Sequence, residues 1–303
     1  MLIARRNVLT LAATGLLACA CKPAAPTQVA LRAQAKPKVL ATMSILADVA
    51  RQIGAPDLEI ISLVAPDRAA HHQDPTPKEL ASFGDVSLLL HVGFNLEGWI
   101  DRLPESTGYH GPIVQASDGI KPILIEGRIP DPHTWQSFSG LSSFARTIAN
   151  AYAKLLPGLA TNFETRLKAY LAELKTAQAQ ATALLAPLRQ GRRLIIVPHN
   201  SFRYLGREFG LEFRGISSLS TGAQPSAKAL ADLLDEIKSA DAAACFIETE
   251  ADQRLMGQIA AESGAKLGGK LYTDSLSKPD GPAGTSVLML AYNVATIAKA
   301  LTP

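Results

Sequence analysis

The sequence predicts an α/β protein in which two lobes are joined by one long rigid helix. Short apolar segments alternate with amphipathic ones in residues 38–157, and the alternation returns in residues 190–303, a pattern typical of lobes built on parallel sheets. Between these halves, the segment 158–189 places apolar side chains at three- and four-residue steps, and neither glycine nor proline interrupts residues 159–186. A helix over 159–188 would be roughly 45 Å long, more than the width of one lobe. We therefore expect it to run along both lobes.

The first half is predicted to contain four strands with helices between them. Residues 86–90 form a nearly continuous apolar run, as in a parallel strand that is buried on both faces. Apolar side chains at positions 45, 46, 49 and 53 mark one face of a helix. The predicted strands are 39–42, 58–64, 86–90 and 113–114, and the predicted helices are 45–53, 78–83 and 96–103, with a loop over 66–77.

The second half repeats this plan after a helix predicted for residues 142–155. Cys245 lies in an apolar run that reads as a buried strand, and it is the one cysteine after position 21. An internal disulfide is therefore excluded in the mature chain, and Cys245 is expected to be a core residue. The predicted strands are 194–197, 212–214, 243–247 and 267–272, and the predicted helices are 202–209, 226–238, 252–262 and 286–301.

Residues 1–21 have the pattern of an export signal. Arg5 and Arg6 precede an apolar run that is too short to span a membrane, and the arginine pair also resembles a twin-arginine signal. Cys19 and Cys21 both follow sequences that resemble a bacterial lipobox, and Cys19 fits better because Leu16 precedes it by three residues. A lipid anchor is the expected membrane attachment; the alternative is a soluble periplasmic protein. Residues 22–37 read as a flexible tether.

Composition excludes some classes of function. The 303 residues suffice for two sizeable cores. The net charge of +3 and the lack of a basic run with interleaved aromatic residues argue against nucleic-acid binding.

Four candidate metal ligands lie on loops that follow a predicted strand or on a stiff turn: His71, His133, His199 and Asp274. Pro132 stiffens the turn that carries His133. In open α/β sheets, ligands bind beyond the carboxyl ends of the strands, so these loops would meet in the cleft between the lobes. No local metal motif links them, and for His133 taken alone a helix cap or a hydrogen bond to a backbone carbonyl is the better interpretation.

Six sequence segments, in this order, resemble those of one protein family. They are TMSILAD at 42–48, PTP at 75–77, LEGW at 96–99, DPHTW at 131–135, HNSFRY at 199–204 and YTDSLS at 272–277. The family is that of the zinc- and manganese-binding solute-binding proteins of bacterial ABC transporters, and the resemblance extends over about 38–301. It implies two lobes joined by a rigid helix, a metal ion in the cleft, and delivery of that ion to a permease driven by an ATPase.

The resemblance also implies the ligands, which fall on His71, His133, His199 and Asp274. The chain departs from the family pattern before the first histidine, where Ala69 and Ala70 replace the usual aspartate and proline. The neighbouring His72 is therefore an auxiliary candidate, with a solvated loop residue as the favoured alternative. Further departures are Asn200, Ser201 and Gln136. Glu248 is expected to hydrogen-bond to a ligand histidine or to the backbone rather than to bind the metal directly.

Three imidazoles and one carboxylate suit zinc in a tetrahedral site. Manganese prefers more oxygen ligands, and manganese binders of this family usually carry a carboxylate at the third position, so His199 favours zinc. A manganese or mixed site is the alternative.

Two other classes of function compete with transport. A mononuclear zinc hydrolase keeps an open position for water, which Asp274 would close, so we expect no enzymatic activity. Binders of haem, siderophores or cobalamin need aromatic or basic walls, and only 6% of the chain is aromatic. The expected partners are a permease with its ATPase and a periplasmic metal chaperone, and the chain is expected to act as a monomer.

Overall fold

The computed structural model describes residues 35–66, 75–188, 194–216, 226–239, 242–248 and 253–302. The predicted signal over 1–21 and most of the predicted tether lie outside these ranges. Across the described ranges, no helix combines the length and apolar character needed to cross a membrane.

The first half is built around a four-stranded parallel sheet with strand order β2-β1-β3-β4. Nine of the eleven residues of helix α1 are buried, and Ile45, Val49 and Ile53 belong to the same hydrophobic cluster as side chains of this sheet. The elements in chain order are β1 (Lys38–Ala41), α1 (Ser44–Gly54), β2 (Glu59–Ser62), α2 (Pro77–Leu80), β3 (Val86–His91), α3 (Leu103–Thr107), β4 (Ile113–Gln115) and a hairpin of β5 (Leu124–Ile125) and β6 (Ile129–Pro130).

Two helices lead to the second half, which repeats the topology of the first. They are α4 (Phe138–Leu155) and α5 (Ala160–Leu185). The second half then comprises β7 (Leu194–Val197), α6 (Arg203–Phe209), β8 (Glu212–Gly215), α7 (Ala227–Ser239), β9 (Ala244–Glu248), α8 (Gln253–Ser263), β10 (Lys266–Leu271) and α9 (Ser286–Leu301). Its sheet has the order β10-β9-β7-β8, all parallel. Numbered from the start of each half, both sheets read 2-1-3-4, so strand order reverses between the first and third strands, where α/β proteins bind ligands.

Helix α5 contacts both halves. On the first half, Arg166 bonds to the Asp57 carboxylate at 2.6 Å and to the carbonyl oxygen of Ile53 at 2.7 Å. Twelve residues further on, or about 18 Å along the helix axis, Gln178 donates to Glu208 on α6 at 2.6 Å. The 26 residues of α5 make it about 39 Å long. One hydrophobic cluster includes buried side chains from both sheets and from α5, so the helix and the two halves share a core.

Several elements end a few residues from their predicted bounds: α2 ends at Leu80, before a 3₁₀ helix at Ala81–Asp85, and α5 ends at Leu185 rather than at 188. Three differences are larger. Helix α4 begins at Phe138 rather than at 142, because the Ser137 hydroxyl caps it by accepting the backbone N–H of Gly140. The prediction of a helix over 96–103 is wrong, because a 3₁₀ turn at Ile100–Arg102 precedes the short helix α3. There the carboxylate of Glu97 accepts the backbone N–H groups of Val92 and Gly93, which ties the segment to the end of β3. The hairpin of β5 and β6 was not predicted.

Candidate metal centre

His133, His199 and Asp274 lie together where the two halves meet. Each offers one ligand atom, and these three atoms lie within 4.8 Å of one another. The imidazole centroids of the two histidines are 5.3 Å apart, and Nε2 of His199 is 3.6 Å from Oδ2 of Asp274. His133 and Asp274 are buried, and the His199 side chain is 15% exposed. Nitrogen and carboxylate oxygen atoms this close together form a donor set for a divalent cation.

The turn before α4 fixes His133. Asp131, which is fully buried, accepts the His133 backbone N–H at 3.0 Å and contacts ring atom Nδ1 at 2.7 Å through the same oxygen, Oδ1. After the turn, the Ser137 hydroxyl donates to the carbonyl of Thr134. Gly140 is required here, because a Cβ atom at this position would lie 1.8 Å from that carbonyl oxygen.

His199 is held at the end of β7 by a carboxylate from β9. Oε2 of Glu248 bonds to Nδ1 of His199, and Oε1 accepts the His199 backbone N–H at 3.3 Å. Strands β7 and β9 are neighbours at the point where strand order reverses. Burial works against protonation of His199, but the carboxylates of Glu248 and Asp274 outweigh it and raise the pKa of His199 to about 9. The predicted hydrogen bond between Glu248 and a candidate ligand histidine is present, with His199 as the partner.

The Asp274 loop follows β10 of the second half but is anchored to the first. The carbonyl oxygen of Thr273 accepts the indole N–H of Trp135 at 2.7 Å and the amide of Gln136 at 2.7 Å. The backbone N–H of Leu276 donates to the Ser44 hydroxyl on α1 at 3.0 Å. Residues two and three positions after His133 thus fix the residue next to Asp274.

Two residues that sequence reasoning left without a role connect the histidine loops. Asp131 was part of the DPHTW segment, yet its contact with His133 was not predicted. Arg203 on α6 donates from Nη1 to Oδ2 of Asp131 at 3.0 Å. Burial alone would raise the pKa of Asp131, but the bonds from His133 and Arg203 lower it. Asp131 lies two residues before His133, and Arg203 lies four residues after His199; no local spacing marks the contact between them.

No further histidine of the described residues belongs to this group. His71 and His72 fall outside the described residues. His91 ends β3 with Nδ1 3.7 Å from Oε2 of Glu97, and His110 is exposed; both belong to neither the group nor its hydrogen bonds. Cys245 is buried in β9 as a free thiol, as predicted for a core residue.

Two α/β halves that bring imidazole and carboxylate groups together at their junction define a two-lobed metal-binding protein. Residues 39–300 match the model of the ZnuA family, described as zinc-uptake complex component A periplasmic, and the chain belongs to that family.

Relatives and solved structures agree with this assignment. The chain is 28% identical to the iron-binding protein YfeA of Yersinia pestis, over 86% of this chain and 85% of the relative. It is 25% identical to the manganese ABC transporter substrate-binding lipoprotein PsaA of Streptococcus pneumoniae, over 88% and 89%. Its fold is similar to that of the periplasmic zinc-binding protein TroA from Treponema pallidum, with a TM-score of 0.82, 26% identity, and coverage of 88% of this chain and 100% of TroA. The protein is a periplasmic metal-binding, substrate-binding protein of an ABC transporter.

Proposed function

We propose that the protein captures zinc in the periplasm and delivers it to a membrane permease driven by an ATPase. The observation that carries the proposal is the convergence of two imidazoles and one carboxylate, His133, His199 and Asp274, from both halves on a single point. Zinc is the substrate of this site, not a resident cofactor.

The donor set supports zinc over manganese. Zinc accepts imidazole nitrogen at about 2.0–2.1 Å in tetrahedral sites, whereas manganese favours oxygen-rich sites with more ligands. Each histidine also contacts a carboxylate through Nδ1, Asp131 for His133 and Glu248 for His199. Carboxylates in that position orient ligand histidines and raise their basicity, and they direct Nε2 as the metal-binding nitrogen.

His71 is the proposed fourth ligand. It completes a tetrahedral set of three imidazoles and one carboxylate, which leaves no open position for a catalytic water. The proposal therefore assigns transport rather than hydrolysis to the site. The proposed anchor is a lipid on Cys19 or Cys21, after cleavage of residues that precede it.

Metal binding by the purified mature chain tests the proposal. We expect one zinc ion per chain, retained in competition with manganese, and a loss of zinc affinity by orders of magnitude in both His133→Ala and His199→Ala. The matched control is His110→Ala, which removes an exposed imidazole between α3 and β4 and is expected to leave zinc affinity unchanged. Parent-like zinc binding by both site variants contradicts the site, and retention of manganese in place of zinc contradicts the metal.

A further inference from the structure

Arg203 contacts the supports of both histidine loops. Its Nη1 atom donates to Oδ2 of Asp131 at 3.0 Å and to the backbone carbonyl of Asn200 at 3.3 Å. Asp131 bonds to His133 through its other oxygen, and Asn200 directly follows His199. One guanidinium nitrogen of Arg203 therefore bonds both to the carboxylate that holds His133 and to the backbone of the residue after His199.

A second contact from the same helix strengthens this connection. The hydroxyl of Tyr204 donates to the carbonyl of Asp131 at 2.7 Å and accepts the backbone N–H of Ile123 at 3.1 Å. Helix α6 begins four residues after His199. The segment that carries His133 is therefore bound to the second half through consecutive residues of one helix.

The charges favour a fixed geometry. Asp131 is fully buried, and a buried carboxylate is stable only when it is paired and hydrogen-bonded. Both of its oxygens are used, one by His133 and one by Arg203. A shift of α6 relative to the His133 turn would break this pair, so the distance between the two imidazoles is coupled to the Arg203 contact.

We propose that Arg203 is a positioning residue that sets the separation of His133 and His199 and thereby the preference of the site for zinc over manganese. The inference rests on the proposed zinc-binding function. Metal selectivity in proteins is set largely by the geometry that the fold imposes. Zinc depends on both imidazoles at short distances, so loosening their separation weakens zinc more than manganese.

Zinc and manganese affinities of Arg203 variants test the inference. Arg203→Gln is expected to lower zinc affinity by about 10–100-fold, the range for residues that orient a ligand histidine, and to lower manganese affinity less, so that the ratio of the two falls. Arg203→Lys is expected to retain more zinc affinity than Arg203→Gln, because its ammonium group keeps a positive charge near the buried Asp131 carboxylate. The matched control is Arg146→Gln, an exposed position on α4, with parent-like affinities. An unchanged zinc-to-manganese ratio in Arg203→Gln, or equal losses in the Gln and Lys variants, overturns the inference.

A double-mutant cycle tests whether Arg203 acts through Asp131. The double variant Arg203→Gln with Asp131→Asn should bind zinc no more weakly than the single variant of lower affinity, because both changes break the same contact. Losses that multiply overturn the inference. If Arg203→Gln does not fold, Arg203→Lys is measured with and without Asp131→Asn under the same criterion. The proposed function is tested separately by His133→Ala. If this variant loses zinc binding while the Arg203 variants do not, the metal site stands and only the role of Arg203 is contradicted.

Discussion

His199 is bonded to Glu248 twice, through its ring atom Nδ1 and through its backbone N–H. Glu248 is the last residue of β9, and His199 lies two residues after the end of the neighbouring strand β7, so a carboxylate from one strand holds the imidazole that follows the other. Because Nδ1 is used in this way, Nε2 is the nitrogen aimed at Asp274, at 3.6 Å. The orientation of the His199 ring is therefore fixed by Glu248, with Nε2 facing Asp274.

Glu248→Gln should weaken zinc binding by about 10–100-fold, because the neutral amide no longer raises the basicity of the imidazole or holds its ring with a charged acceptor. Isothermal titration with zinc measures the change. The matched control is Glu105→Gln, which neutralises an exposed carboxylate on α3. Unaltered zinc affinity in Glu248→Gln would show that the bond to His199 is only structural.

Zinc binding should release protons near neutral pH. The carboxylates of Glu248 and Asp274 outweigh burial and raise the pKa of His199 to about 9, which favours the protonated ring at neutral pH, whereas metal binding requires the neutral imidazole. Zinc affinity is therefore expected to rise as pH increases toward about 9 and to fall as pH decreases. Titrations at one pH in buffers of different ionisation enthalpy count the protons released. A zinc affinity that stays constant from neutral pH to about pH 5 contradicts imidazole ligation.

Gly215→Ala should disturb the His199 loop directly. A Cβ atom on this residue of β8 would lie 2.6 Å from the backbone nitrogen of Asn200 and 2.8 Å from the carbonyl carbon of His199. Since backbone rather than a flexible side chain must move, we expect lower zinc affinity and a stability loss of about 1–3 kcal/mol.

Gly257→Ala is the control for that substitution. It lies on α8, where an added Cβ meets nothing within 4 Å, and alanine is the better helix former by about 0.5–1 kcal/mol. The unfolding temperature should therefore fall in Gly215→Ala and stay the same or rise in Gly257→Ala. Zinc affinity should fall in Gly215→Ala and stay unchanged in Gly257→Ala. Equal behaviour of both variants would contradict close packing beneath His199.

Trp135→Phe should reduce zinc affinity by about fivefold, because it removes one hydrogen bond and such a bond contributes about 1 kcal/mol. Phenylalanine keeps most of the buried ring but removes the N–H that bonds to the carbonyl of Thr273, next to Asp274. The matched control is Trp99→Phe, which alters the other tryptophan, half-buried near Phe83. A parent-like titration in Trp135→Phe would show that Gln136 alone suffices to hold Thr273.

The alternation of apolar and amphipathic segments predicted most of the fold. The helix at Ser286–Leu301 and the strand at Leu194–Val197 have the bounds that periodicity indicates, because both are long or apolar enough for a clear pattern. The hairpin of β5 and β6 has two-residue strands, too short for any periodicity. The apolar spacing over 96–103 is typical of a helix, but the buried Glu97 carboxylate binds backbone N–H groups at the end of β3 instead. That contact depends on tertiary structure and leaves no periodic signal.

The candidate ligands became identifiable only through resemblance to a family, since His133, His199 and Asp274 share no local spacing. Glu248 was found because it follows a predicted strand. The contacts of Arg203, Gly215 and Gln136 were not predicted, because each depends on how segments distant in sequence approach one another. In the sequence, Gln136 stands out only as a departure from the family pattern, yet its amide bonds to the carbonyls of Tyr272 and Thr273.

Anomalous X-ray scattering at the zinc edge, from crystals of the protein loaded with one equivalent of zinc, tests the central claim most directly. We expect one strong peak between His133, His199 and Asp274, with zinc–nitrogen distances of about 2.0–2.1 Å. A dominant peak at any other position, with none between these three side chains, would contradict the assignment of this site.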